Sequence, residues 1–143
     1  MNTESKYNSI RSQIEHLDNS LNQRVVWLVI AQSFFFNGFA VLINGKPQFP
    51  HLDAPYKALE HIFPIAALLT VIFTVVDVAH TLTYIKDLRK LYDNKIAGTP
   101  EMTDMPPIHG YPQQRKWMYT SPILIPCLFI ISWIIILVRQ YGG

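Results

Sequence analysis

Three stretches without a single Asp, Glu, Lys or Arg, residues 25–43, 62–76 and 118–138, constrain this chain more than anything else in it. A helix rising 1.5 Å per residue needs about 20 apolar residues to cross roughly 30 Å of hydrocarbon. In a chain of 143 residues these runs take up too large a share for a soluble core to cover. The sequence therefore predicts an all-α integral membrane protein with three transmembrane helices. The length bounds it to one domain, which excludes multidomain enzymes.

The spans set the remaining boundaries. Residues 1–24 carry Glu4, Lys6, Arg11, Glu15, Asp18 and Arg24 and no apolar centre, so they do not read as a cleaved signal. Helix 1 is expected over 4–43, half of it cytoplasmic and half span, ending at Asn44-Gly45-Lys46-Pro47. Asp53 is an N-cap candidate, with Pro55 in the first turn, for a helix over 54–94. That helix continues past the membrane, where Leu82, Ile85, Leu88 and Leu91 recur among Lys86, Asp87, Arg89 and Lys90 as an amphipathic cytoplasmic extension. Residues 95–117 hold Pro100, Pro106, Pro107, Gly110 and Pro112 and read as an irregular cytoplasmic loop. The third span is expected over 118–139, with Ser121 as a cap before Pro122. Pro126 kinks it unless a neighbouring helix serves the carbonyl it frees.

Basic residues near span ends collect on the cytoplasmic side. Lys6, Arg11, Arg24, Lys86, Arg89, Lys90, Lys95, Arg115 and Lys116 fall on one side, against Lys46, Lys57 and Arg139 on the other. The bias predicts a multi-pass membrane protein with its N-terminus inside and its C-terminus outside. Trp27, Trp117, Tyr119 and Tyr141 near span ends read as interface anchors.

Helix 1 carries a seven-residue repeat. Tyr7, Ile10, Ile14, Leu17 and Leu21 alternate spacings of three and four, and the register continues through Leu28, Ala31, Phe35, Gly38 and Leu42. Ile10, Ile14, Leu17, Leu21, Ala31 and Gly38 form a candidate oligomer seam, with the two small residues permitting close backbone approach. The same stripe could instead pack on the extension of helix 2 within one subunit, and both readings stand.

Polar residues inside the spans are the candidate functional groups. An ionisable side chain there costs about 2.5–3.5 kcal/mol on insertion scales, so Asp77 is a functional hypothesis by default. Thr70, Thr74, Asp77, Thr81 and Tyr84 lie on one helical face, with His80 about 60° to the side. They could line an aqueous path or carry a proton; the structural alternative is that Asp77 reaches interfacial water and ties helices together. Ser33, Asn37 and Asn44 share a face of helix 1, with Gln32 beside it, either as interhelical ties or as the lining of a lumen in an oligomer.

Other patterns carry less. Arg11 and His16 form Arg-x-x-x-x-His, a string used by HEPN ribonucleases, yet on one helix they point about 140° apart while Arg11 and Glu15 can pair. His51, Glu60 and His61 lack the paired spacing of a zinc site, and Cys127 is a lone cysteine in an apolar run. The sequence offers no catalytic constellation, no metal ligand set and no cofactor motif. Its basic inner surface suits anionic lipid; nothing in it favours nucleic acid.

The stretch from Ile10-Arg11-Ser12-Gln13-Ile14-Glu15-His16 through Asn22-Gln23-Arg24, Trp27 and Gln32-Ser33-Phe34-Phe35-Phe36 resembles a group of small, uncharacterised bacterial inner-membrane proteins. In its short spans, cytoplasmic helical extensions and Arg-x-x-x-x-His string the chain also resembles the membrane accessory proteins of type VI-B CRISPR systems. That resemblance implies a homo-oligomeric pore that depolarises the inner membrane during phage infection; it carries over no site residue. The expectation is a symmetric homo-oligomeric channel or membrane-perturbing effector, its partners being itself, the bilayer and a candidate cytoplasmic protein. The alternative is a non-conducting scaffold or accessory subunit. A small proton-coupled transporter using Asp77 and His80 is a third class.

Overall fold

The computed structural model describes residues 3–45, 50–95, 108 and 112–142, with side chains over 3–45, 51–94, 108 and 122–142. It is all-helical among these residues: α1 spans Thr3–Asn44, a 3-10 turn spans Pro50–Leu52, α2 spans Asp53–Lys95 and α3 spans Pro112–Tyr141. All three helices are long and apolar enough to cross a membrane. Only 17%, 22% and 17% of their most apolar windows is buried within the chain, so most of that surface needs lipid or further protein.

Several boundaries differ from the sequence reading. Asp53 is the first residue of α2, preceded by the 3-10 turn. α3 begins at Pro112, six residues before the expected 118, because a proline that cannot continue a helix fits its first turn, where no backbone donor is needed. The helix runs unbroken past Ser121 and Pro122, so no cap forms there. Pro100, Pro106, Pro107, His109 and Gly110 of the expected loop lie outside the described residues, as do the side chains of Arg115, Lys116, Trp117 and Tyr119.

The chain forms two compact units. The first comprises Met1–Gln23 and Val76–Ile123. Here the start of α1 packs antiparallel on the end of α2 through Tyr7, Ile10, Ile14, Ile85, Leu88 and Tyr92, with Leu17 and Ile108 against them. The Tyr7 and Tyr92 rings meet at 6.0 Å and 57°. The stripe of α2 ends on Tyr92 in place of the expected Leu91, which is exposed. Repeated steps of three drift about 60° each around a helix, and the step of four from Leu88 to Tyr92 restores the face.

The second unit comprises Arg24–Val75 and Leu124–Gly143. It holds three helices running up, down and up around Trp133, which is 0% exposed and packs with Phe39 and Ala67. Trp133 stacks on Phe36 at 4.4 Å and 10° and meets Phe39 edge-on at 5.8 Å. α2 passes through this unit despite Pro64, a fully buried proline. Proline removes the hydrogen bond to the carbonyl four residues back, that of Glu60, and the side chain of Gln140 on α3 donates to that carbonyl at 3.3 Å.

Gly45 follows α1, and its N–H bonds the Val41 carbonyl at 2.9 Å. The Tyr56 hydroxyl donates to the Leu42 carbonyl at 2.7 Å, satisfying one of the orphan acceptors of the helix end. A β-carbon on Gly45 would run into that hydroxyl, so glycine here leaves room for the Tyr56 cap.

Candidate functional site

Burial along α1 separates the expected seam into two parts. Ile10, Ile14 and Leu21 are buried and Leu17 half-buried, and Ile10 and Ile14 pack against α2 of the same chain. The intrasubunit reading thus describes this half of the stripe, and little of it is left open to a second copy. Further on, the buried positions are Val25, Leu28, Gln32 and Phe39, while the expected Ala31, Phe35, Gly38 and Leu42 are only half-buried. The buried set shifts register once: Tyr7, Ile14, Leu21 and Leu28 lie seven apart, Val25, Gln32 and Phe39 lie seven apart, and the step of four from Leu21 to Val25, eleven residues after Ile14, moves the buried face from the first series to the second. Eleven residues in three turns follow a nearly straight helix, whereas a seven-residue repeat drifts by about 20° each time. Gly38 does admit a close neighbour, but the neighbour is a ring: a β-carbon there would lie 2.6 Å from Phe63 Cε1.

The polar residues expected to line a path divide in the same way. Gln32, 0% exposed, is saturated by the other two helices. Its Nε2 donates to the Ala67 carbonyl at 3.2 Å and to Thr70 Oγ1 at 2.9 Å, and its Oε1 accepts from Trp133 Nε1 at 2.6 Å. Thr70 in turn donates to the Ala67 carbonyl at 2.7 Å. With both donors and its oxygen engaged and no exposed surface, this side chain ties three helices together and presents nothing to a water path. Gln32 is therefore not beside the strip of Ser33 and Asn37; it lies on the core face, about 100° from Ser33.

Thr74 donates to the Thr70 carbonyl at 2.8 Å, and Thr81, buried in the first unit, donates to the Asp77 carbonyl at 2.9 Å. Both hydroxyls serve their own helix. Asp77 and His80 are exposed on the flank of α2. On α1, Ser33 is exposed and donates to the Val29 carbonyl at 2.8 Å, and Asn44 donates to the Ala40 carbonyl at 2.8 Å. Asn37 is exposed between them, six residues before Ile43, the last residue of the charge-free run. The exposed polar residues of α1 in the second unit thus lie on the side away from the Gln32 network.

At the far end of the second unit, His61 Nδ1 lies 3.1 Å from the Tyr141 hydroxyl and 3.2 Å from Gln140 Nε2, and its ring stacks on Tyr141 at 5.3 Å. Among the described residues no group of three His, Cys, Asp or Glu could hold a metal ion. In the first unit Arg11 pairs with Glu15 at 2.9 Å and reaches the Tyr7 hydroxyl at 3.4 Å, and these two partners hold its proton more firmly than usual. His16 is exposed on another side. Burial pushes the Asp18 carboxyl up, and the positive charge of Arg89 only partly offsets it. Burial, then Tyr7 and Asp93, push the Tyr92 hydroxyl up as well.

Sequence reasoning missed Trp133 and Gln140. A tryptophan N–H deep in an apolar span needs an acceptor, and a proline inside a span frees a carbonyl that needs a donor. Those two demands, read across helices, were the available signal. No family model, no characterised protein and no solved structure matches this chain.

Proposed function

We propose that the chain is a homo-oligomeric channel or membrane-perturbing effector of the bacterial inner membrane, with its N-terminus in the cytoplasm and its C-terminus outside. The observation that carries this reading is the exposed strip of Ser33, Asn37 and Asn44 on α1, on the side away from the buried Gln32 network. An amide facing hydrocarbon is costly, and in a span it is normally turned toward protein or water. Three helices cannot enclose a water path alone, and cyclic repetition of one subunit can. The positive-inside distribution supports the orientation. The resemblance to CRISPR accessory proteins extends the reading to depolarisation during anti-phage defence.

Purification in mild detergent, followed by measurement of oligomeric mass and of ion flux in reconstituted vesicles, tests the proposal. A closed ring that conducts, with conductance altered in Asn37→Ala or Asp77→Ala at unchanged mass, supports it. A ring with no flux returns the chain to the scaffold reading, in which the spans anchor and the cytoplasmic helices recruit a partner.

A further inference from the structure

Within the exposed side of α1 in the second unit, which also holds Val26, Val29, Ser33, Ala40 and Ile43, one row stands opposite the buried face. Trp27, Ile30, Phe34, Asn37, Val41 and Asn44 are all exposed, and they recur at spacings of three, four, three, four and three. This is a seven-residue repeat opposite the face that carries Leu28, Gln32 and Phe39, and it is the pattern by which helices pack knobs into holes. The exposed sides of α2 and α3 differ. Over residues 62–75 and 123–138 they consist of aliphatic residues and Phe73, with Thr70 and Thr74 bonded to their own helix, a surface suited to lipid.

The identity of the missing neighbour can be read from charge and hydrogen-bonding chemistry. When copies of one helix pack in parallel, identical residues meet at each layer, so a charge would meet its like. Carried back along the sequence, the same spacing passes through Gln23, Ser20, His16, Gln13 and Ser9 and meets its first Asp, Glu, Lys or Arg only at Lys6, in the first turn of α1, although Arg11, Glu15, Asp18 and Arg24 lie between those positions. Asn37 adds self-complementarity, because an amide carries both donor and acceptor and a second Asn37 answers both. Phe34 sits nine residues from Val25 and nine from Ile43, about 13 Å from either end of the span, and is 73% exposed.

We infer that this face of α1 is the contact between copies of the chain, packed in parallel about a common axis, with Asn37 as a polar layer and Phe34 as the apolar constriction that closes the path. The inference rests on the channel reading and sharpens it: it assigns the axial helix, its register and the residue that blocks flow. A ring of phenylalanines in mid-membrane closes a narrow pore by excluding water, with no moving lid required.

Disulfide cross-linking of the full chain in native membranes, in a Cys127→Ser background, tests the register. Ile30→Cys, Asn37→Cys and Val41→Cys should shift to dimer mobility on mild oxidation, whereas Val29→Cys and Ala40→Cys, exposed but off the stripe, should not. Phe34→Ala should raise ion leak from reconstituted vesicles at unchanged oligomeric mass. No cross-link at the three stripe positions, or equal cross-linking at all five, overturns the interface, and unchanged leak in Phe34→Ala overturns the constriction. The unsubstituted protein separates the two ideas: a monomer sinks the channel reading together with this one, whereas a conducting oligomer lacking the cross-link pattern sinks this one alone.

Discussion

Gln32 illustrates how much one side chain can do when both ends of its amide are used. Its three hydrogen bonds join α1 to α2 and α3, and Gln32→Ala would leave the Trp133 N–H without its acceptor in a place no water reaches. A loss of about 1–2 kcal/mol is expected, near the upper end for interhelical hydrogen bonds in membranes. Thermal unfolding in detergent should show it, and Ser33→Ala, which removes a bond to its own helix only, should change little. Asp18 makes the opposite contribution at neutral pH. Because its carboxyl is pushed up, the folded chain holds that proton more tightly than the unfolded one. The stabilisation from this group is complete below the ordinary carboxylate value of about 3.9 and is lost as pH rises through the raised one. Asp18→Asn should therefore raise the Tm at neutral pH and flatten its dependence on pH between acid and neutral. A lower Tm at neutral pH would show that attraction to Arg89 outweighs the cost of burial. At this scale the sequence revealed which residues were out of place in a membrane, but not which of them had partners. Gln32 and Asn37 are both uncharged amides on one helix, and only the position of Trp133 separates their roles.

Helices were more legible than their packing. Charge-free runs and flanking turn residues place α1 and α2 almost to the residue, since the energetic demand of the bilayer acts on composition alone. The start of α3 was hidden because Pro112 reads equally as a loop breaker and as a first-turn residue. The apolar register of α1 was legible as far as Leu28; beyond Leu21 the inserted step of four to Val25 turns the buried face, and the sequence offers apolar residues in both registers. Gly38 tests the packing of α1 on α2 directly. Phe63, held edge-on to Phe35 at 6.0 Å, occupies the space a larger side chain would need. Gly38→Leu should cost about 1–3 kcal/mol by overpacking, and Gly38→Leu combined with Phe63→Ala should recover part of it. The comparison of Tm values across this cycle checks the contact.

For the whole molecule, the basic residues of 1–24 and 86–116 and the sparse charge elsewhere give an orientation that reporters can check. A phosphatase reporter active only in the periplasm should work when fused after Tyr141 and fail within residues 96–111, with the reverse for a cytoplasmic reporter; two cytoplasmic ends would mean an even number of crossings and discard the three-span topology. The hydrogen bonds of Gln32 also have a place in time. Its bonds to Ala67 and Thr70 span 35 and 38 residues, whereas its bond from Trp133 spans 101. Synthesis from the N-terminus lets the first two helices meet and satisfy one end of the amide while the other end waits for a helix still to be made. Until α3 packs against them, the first two helices carry an open acceptor between them, a mark of incompleteness that the last tryptophan erases.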